Sequence, residues 1–487
     1  MLGTLIVKEL KAIIVSPKFV ATFLICAVLM LLSVFIGIQE YRNAVRQYET
    51  ATQLVEEGAR EATGWHNIPY RAYRQPDPMQ VFVSGLGYDL GRFSSISTRE
   101  IVKLRNSAYS DDPIFALFRF IDFAFIVQVV LSLLAILFTY DAINGEREEG
   151  MLKLVFANPV PRARYLLAKC IGGWLGLVIP IMIPLLLCLL LVMAFHVPLT
   201  TDHWFKLLML MAVSVLYFTF FVAFGVLISA LTRRPSVSFL LALVGWIVFI
   251  LIIPRAGVII SGQLLPVPSV AEIEGQSEGF AKDRWQAFYE EQEKRWQERN
   301  ADRANGDGNS QAVSDEQLWK YMEEDDAARK AVQQEIETYQ TKLNIDLQNR
   351  HKTQERLAFT LSRFSPASAY LLAAMNLAGT GVELKSRYEE SLRNFRDQFL
   401  EFVEAKQAEG GASGAFTISI DTQSGLKIGT PRDQGALDVS QLPRFTPPQY
   451  PLMGAAAATV VDFGLLALYS ILAFGAAFVA FSRYDVR

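Results

Sequence analysis

Six stretches of this chain are long and apolar enough to cross a lipid bilayer, at 19–39, 114–140, 170–195, 204–231, 237–265 and 455–481. A bilayer core takes about 20 helical residues, and inside it every backbone polar group must be satisfied within the helix. The composition agrees, with 52% hydrophobic residues and only 20% charged, against about 25% charged in an ordinary soluble domain. The expected fold class is an all-α polytopic membrane protein. The first run is too long for a signal-peptide core, and no small-residue cleavage pattern precedes Gln39, so it reads as a retained anchor.

Orientation follows from Lys and Arg near the span ends. One side collects Lys8, Lys11 and Lys18, then Arg147, Lys153, Arg162, Arg164 and Lys169, then Arg233, Arg234, Arg483 and Arg487. The short loop His196–His203 on the other side holds no Lys or Arg. The expectation is a bacterial cytoplasmic (inner) membrane protein with both termini cytoplasmic: 1–18 and 482–487 inside, and 141–169 as the main inner loop. Residues 40–113 and 266–454 then lie outside. Arg42, Arg46 and Arg119 fall on the outer side, flanking a long loop where the rule has less force.

The outer regions read as mainly helical. Residues 41–62 continue the first span as helix, and proline and glycine then punctuate PYRAYRQPDPMQVFVSGLG. Val270 to Asn300 and Asp315 to Arg363 are long charged helices separated by a linker-like NADRANGDGNSQ. Leu384 to Gln407 places Tyr388, Leu392, Phe395, Phe399 and Phe402 at helical spacing, which reads as a packing face rather than a ligand stripe. FTISIDTQSGLKI alternates about a polar turn and predicts a small β hairpin.

Several function classes are disfavoured. With 46 basic and 49 acidic residues, the chain lacks the basic excess of a nucleic-acid binder. Cys26, Cys170 and Cys188 all lie in or beside apolar runs, which leaves no disulfide framework or cysteine zinc site. His196 and His203 flank one short loop, but two ligands do not make a metal site, and interfacial histidines are the simpler reading. No nucleophile–base constellation or H-E-x-x-H pattern occurs. GTGVELKS (Gly379–Ser386) imitates a phosphate loop, yet Leu384 stands where the second glycine must turn backbone N–H groups onto phosphate.

Charges inside spans cost roughly 2.5–3.5 kcal/mol each on insertion scales. Arg119, Asp122, Arg255 and Asp462 are the candidates. Arg255 paired with Asp462 or Asp122, or a snorkelling arginine, is preferred over a substrate contact. Pro180 and Pro184 predict a kink in the third span.

The inner loop is the most informative stretch. Between two spans stand Glu146, Arg147, Glu148 and Glu149, then Gly150, then an apolar cluster of Met151, Leu152, Leu154, Val155 and Phe156, closed by Pro159 and Pro161. A helix over Asn144–Phe156 is too short to span and too apolar for a solvated loop. It suits a protein groove, with an apolar face for burial and a charged rim for orientation. A helix lying on the lipid surface fits equally well.

GEREEGMLKLVFANPVPRARYLLAKCIGGW resembles the first cytoplasmic loop of export-type ABC permeases of the ABC-2 class. Their pattern runs Glu-Arg-Glu-x-Gly-Thr, apolar helix, proline, basic residues, Gly-Lys. Here Met151 replaces the usual Thr, and Ala168-Lys169 replaces Gly-Lys. LIVKELKAIIVSPKF is similar to the family's N-terminal elbow helix, and RFSPASAYLLAAMNLAGTG to its Ser-Pro-Ala-Ser segment. RQPDPMQVFVSGLG resembles the subset with large extracytoplasmic insertions related to gliding-motility-type permeases.

The resemblance implies a non-enzymatic permease subunit without a cofactor of its own. It implies a second permease, as homo- or heterodimer, and a cytosolic ATP-binding subunit that supplies ATP and Mg. The helix at Asn144–Phe156 is then the coupling helix, with Glu146, Arg147, Glu148 and Glu149 as its rim and Leu152, Val155 and Phe156 as its inserted face. The outer domain suits an envelope partner. A mechanotransmission protein moving no substrate is the alternative, and a membrane-embedded enzyme a more distant one.

Overall fold

In a computed structural model, the described residues are 2–62, 68, 70–96, 102–107, 121–305, 315–409, 417–421, 425–429 and 441–483. Six helices among them are long and apolar enough to cross a membrane, and the expected all-α polytopic class holds. The chain divides into two compact units, one of residues 1–252 and 365–487, the other of Ile253–Phe364.

The first unit opens with α1 (Leu2–Ile14) and α2 (Pro17–Arg60). Ser16 caps α2 by accepting the Phe19 N–H at 3.2 Å, with Pro17 at the first helical position, where its missing N–H costs nothing. The helix runs on for 44 residues, so the first span and the start of the polar region are one rod, as the sequence implies.

β1 (Tyr70–Tyr73) and β2 (Phe93–Ile96) pair antiparallel, Tyr70 opposite Ile96. This small sheet is not foreseen from sequence. The second span is α3, helical over Phe123–Phe125 and Ser132–Thr139 around a π segment, Ile126–Leu131. Of its predicted length, residues 114–120 lie outside the described residues. In the π segment the Gln128 carbonyl accepts the Tyr217 hydroxyl at 2.8 Å, the kind of extra bond a widened turn permits.

After the inner loop come α4 (Asn144–Glu148), α5 (Met151–Phe156), α6 (Arg162–Ala194) and α7 (Thr201–Leu231). Then follows α8 (Pro235–Ile247), which continues as a π segment over Val248–Ile252. α7 is the central post: 61% of its most apolar stretch is buried, against 17% for the candidate span Pro235–Leu264. Tyr217, Phe218, Phe220 and Phe221 of α7 fill the core.

α12 (Pro366–Ala378) falls within the segment 266–454 that the sequence assigns to the outer domain. This 13-residue helix is almost wholly buried in the first unit, packed against α7 and against α14 (Leu452–Ser482). Its tyrosine, Tyr370, stacks on Tyr217 at 4.6 Å. Ser365 caps it by accepting the Ala367 N–H at 3.0 Å, while its hydroxyl donates to the Phe249 carbonyl. At about 1.5 Å per residue it is too short to cross a bilayer. Gly379, first residue of the phosphate-loop imitation, closes it in the left-handed conformation at φ 68°.

α13 (Glu383–Glu409) buries Tyr388, Leu392, Phe395, Phe399 and Val403, with Tyr70 5.0 Å from the Phe399 ring. Phe402 is only partly buried. The predicted hairpin is present as β3 (Thr417–Asp421) and β4 (Gly425–Gly429), antiparallel.

The second unit holds α9 (Ile253–Leu264), α10 (Val270–Asn305) and α11 (Asp315–Ser362). α10 and α11 form an antiparallel hairpin: Phe280 stacks on Tyr339 at 4.0 Å, Arg284 pairs with Glu335, and Arg295 lies 3.8 Å from Asp325. α9 packs on the end of α11, where Gly257 leaves room for the Ser362 backbone.

Candidate functional site

The inner loop folds as two short helices, not the single helix expected over Asn144–Phe156. Gly150 adopts φ +74° between them, a conformation that costs any residue with a Cβ roughly 1–2 kcal/mol. The break rotates the second helix relative to the first and changes which residues face out.

The loop begins locked to the end of α7. Asn144 is fully buried, and its side-chain amide donates to Thr232 Oγ1 at 2.9 Å. Ser229 Oγ accepts the Ile143 N–H at 3.0 Å and donates to Asn144 Oδ1 at 3.2 Å. Every polar atom of this junction named here has its partner on α7 or on its C-cap Thr232, so the start of the loop moves with that helix.

Glu146 faces inward. Its carboxylate receives Lys8 Nζ of α1 at 2.7 Å, Lys169 Nζ of α6 at 2.9 Å, and the hydroxyl of Tyr165. Lys169 also reaches Glu9 of α1 at 2.8 Å, with its own side chain only 4% exposed. Sequence reasoning put Glu146 on the rim; the structure spends it on an ion cluster inside the chain. Lys8 and Glu9 stand 138 and 137 residues before it in sequence, and no local pattern announces the pairing.

Glycines of α6 admit α1. A Cβ on Gly172 would fall 2.5 Å from Glu9 Cβ, and one on Gly176 3.0 Å from Ile13 Cδ1. Elbow, first loop helix and third span therefore meet at one packed point.

The apolar cluster divides. Leu152 is 1% exposed, packed with Ile143, Tyr165, Val226, Ala230 and Phe481. Phe156 lies 5.3 Å from the Tyr165 ring, and Tyr165 stacks on Phe481 at 5.4 Å. Arg162 donates to the Ser482 carbonyl at 2.6 Å, tying α6 to the last turn of α14. Leu152, and in part Val155 and Phe156, are thus used by the chain itself. The face left open holds Met151 at 40% and Leu154 at 66% exposure, with Glu148, Glu149 and Lys153 around them. Leu154 belongs to the apolar cluster in the sequence, but the expected inserted face of Leu152, Val155 and Phe156 leaves it out.

The intramembrane charges go separate ways. Asp122 caps α3, accepting the Phe125 N–H at 2.8 Å and the Ser84 hydroxyl at 2.8 Å. Asp462 is fully buried in the α14 stripe of Ala455, Thr459, Leu466, Ser470 and Ala473. Arg255 is exposed on α9 in the second unit, and Arg119 lies outside the described residues. His203 belongs to a helix cap: its Nδ1 accepts the Thr200 N–H at 3.0 Å. Pro180 and Pro184 sit within α6, which stays one helix from Arg162 to Ala194.

A family model described as ABC-2 family transporter protein matches residues 4–486. No curated protein matches the chain.

Proposed function

Because the chain belongs to the ABC-2 transporter family, we propose that it exports a substrate by receiving an ATP-binding subunit on its inner loop. A permease subunit of this family works with an ABC ATP-binding subunit, and in this reading that subunit contacts Met151 and Leu154, with Glu148, Glu149 and Lys153 as the charged rim. Arg147 and Gly150 shape the approach. ATP and Mg stay in the partner. A second permease, identical or different, completes the complex. Both termini and the inner loop lie on the cytoplasmic side of the bacterial inner membrane, as the basic residues favour.

The observation that carries this reading is the cluster of Lys8, Glu9, Glu146 and Lys169. It joins α1, α4 and α6, and its members Glu9, Glu146 and Lys169 are too enclosed to part cheaply. A push on the exposed face of α5 then passes through Leu152 and Phe156 to Tyr165 and Phe481. The same push passes through Asn144 to Ser229 and Thr232. Closure of the ATPase subunits reaches α6, α7 and α14 together. M151E/L154E is the test: the folded permease loses its ATP-binding subunit on co-purification. Retention at wild-type level contradicts the docking face.

One observation favours mechanotransmission as a second reading. The α10–α11 hairpin displays Tyr289 and Trp296 at 60% and 64% exposure, aromatic contacts of the kind protein interfaces favour. An envelope partner on that hairpin suits a role close to gliding-motility-type permeases.

A further inference from the structure

At the end of the first unit that carries the inner loop, an open groove of ≈ 740 Å³ lies between the last turns of α7 and α14. Its floor is apolar, built from Leu227, Leu231 and Val479 with small α14 residues between them. Leu231 and Val479 are 62% and 52% exposed, as on a helix flank that faces lipid. Three arginines line it: Arg147 of α4, Arg233 just past α7, and Arg483 at the end of α14. Among the described residues, none that lines it is acidic.

A single cation at a helix C-terminus is explained by the helix dipole. Three guanidiniums from three elements around one apolar-floored groove are not. We propose that this groove binds the headgroup and upper acyl chain of an anionic phospholipid of the cytoplasmic leaflet. The claim rests on the orientation given above.

The occupant follows from level and charge. Arg233 and Arg483 stand at or just beyond the ends of membrane-crossing helices, which is where lipid phosphates lie, and arginine matches a phosphate with paired N–H donors. The apolar floor below them lies at the depth of the first methylenes. A phospholipid presents an anion above hydrocarbon in that order. A cytosolic protein segment could reach the arginines but would leave the floor uncovered. Basic pockets between spans on the cytoplasmic side are also where anionic lipids are commonly held. The bound lipid would bridge Arg147, on the coupling loop, to the ends of the fourth and sixth spans.

The test uses the purified full-length permease in detergent, with native mass spectrometry counting retained phosphatidylglycerol or phosphatidylcholine. Wild type retains phosphatidylglycerol in preference. R233Q/R483Q lowers its retention roughly twenty-five-fold, each arginine contributing about a factor of five. A476W fills the groove with the arginines intact and lowers retention too, so a loss of charge and a loss of space are read separately. Unchanged retention in both variants overturns the proposal, as does wild-type retention that does not distinguish the two lipids. A photoreactive group at Val479 cross-links phosphatidylglycerol in nanodiscs. Cross-linking instead to the ATP-binding subunit or to a second copy assigns the groove to that partner and overturns the proposal. Membrane-impermeant labelling of Ser236→Cys reports orientation independently: labelling from outside defeats the topology, while retention in detergent still decides the groove.

Discussion

Lys169 Nζ lies 2.9 Å from Glu146 Oε1, with the lysine side chain 4% exposed and the glutamate 13%. Removing one member of so enclosed a pair strands the other. We expect Glu146→Gln to cost about 3–5 kcal/mol, while Lys8→Met, acting on a side chain 40% exposed, costs under about 1 kcal/mol. The double variant Glu146→Gln/Lys169→Met recovers part of the loss. Thermal unfolding in detergent measures all three. Equal losses for Lys8→Met and Glu146→Gln would show that burial does not set the energetics here.

Leu152 and Leu154 are two residues apart and face different partners. Leu152→Ala opens a cavity in the chain's own cluster and lowers stability by about 2–5 kcal/mol. Leu154→Ser leaves the unfolding temperature unchanged and weakens co-purification of the ATP-binding subunit. The two assays run side by side; a Leu154→Ser protein that unfolds early places this side chain in the core and removes it from the docking face.

Gly172 and Gly150 test contact against conformation. Gly172→Ala drives a Cβ into Glu9 and displaces α1, at a cost of about 1–3 kcal/mol. Gly150→Ala meets no atom within 4 Å, and carries only the strain of a left-handed backbone, about 1–2 kcal/mol. Disulfide trapping between cysteines at Ile13 and Gly176 should fail in the Gly172→Ala background and form in the Gly150→Ala one.

The hairpin of the second unit can be shortened cleanly. Gln354 Nε2 donates to the Leu265 carbonyl at 2.7 Å, so a cut after α9 and a cut near residue 351 leave ends side by side. Replacing 272–350 with a short Gly/Ser linker should preserve insertion and ATPase docking and abolish the biological output. Loss of the ATPase complex in this variant would make the hairpin part of the assembly itself.

The spans were legible because hydropathy is a property of consecutive residues, and α2 could be followed past the membrane for the same reason. α12 was not. Its Pro-Ala-Ser-Ala start and run of alanines are apolar, but 13 residues fall short of a span, so the segment read as part of an outer domain. Its burial depends on Tyr217 and on α14, far away in sequence. β1 and β2 are four residues each and twenty apart, with no alternation long enough to stand out. In the inner loop the residue types were readable and the facing was not. Gly150 decides it by turning α5, and Lys169 and Lys8 decide it together by drawing Glu146 inward.

The central claim is that the open face of α5 meets the ATP-binding subunit. A photoreactive amino acid at Leu154 tests it most directly, with Met453 as control. Met453 is 85% exposed and sits at the other end of α14, about 40 Å along the helix from Phe481, which packs beneath the loop. The account predicts a cross-link to the ATP-binding subunit from Leu154 and none from Met453. A cross-link from Met453, or lipid alone captured at Leu154 in the intact complex, would contradict it.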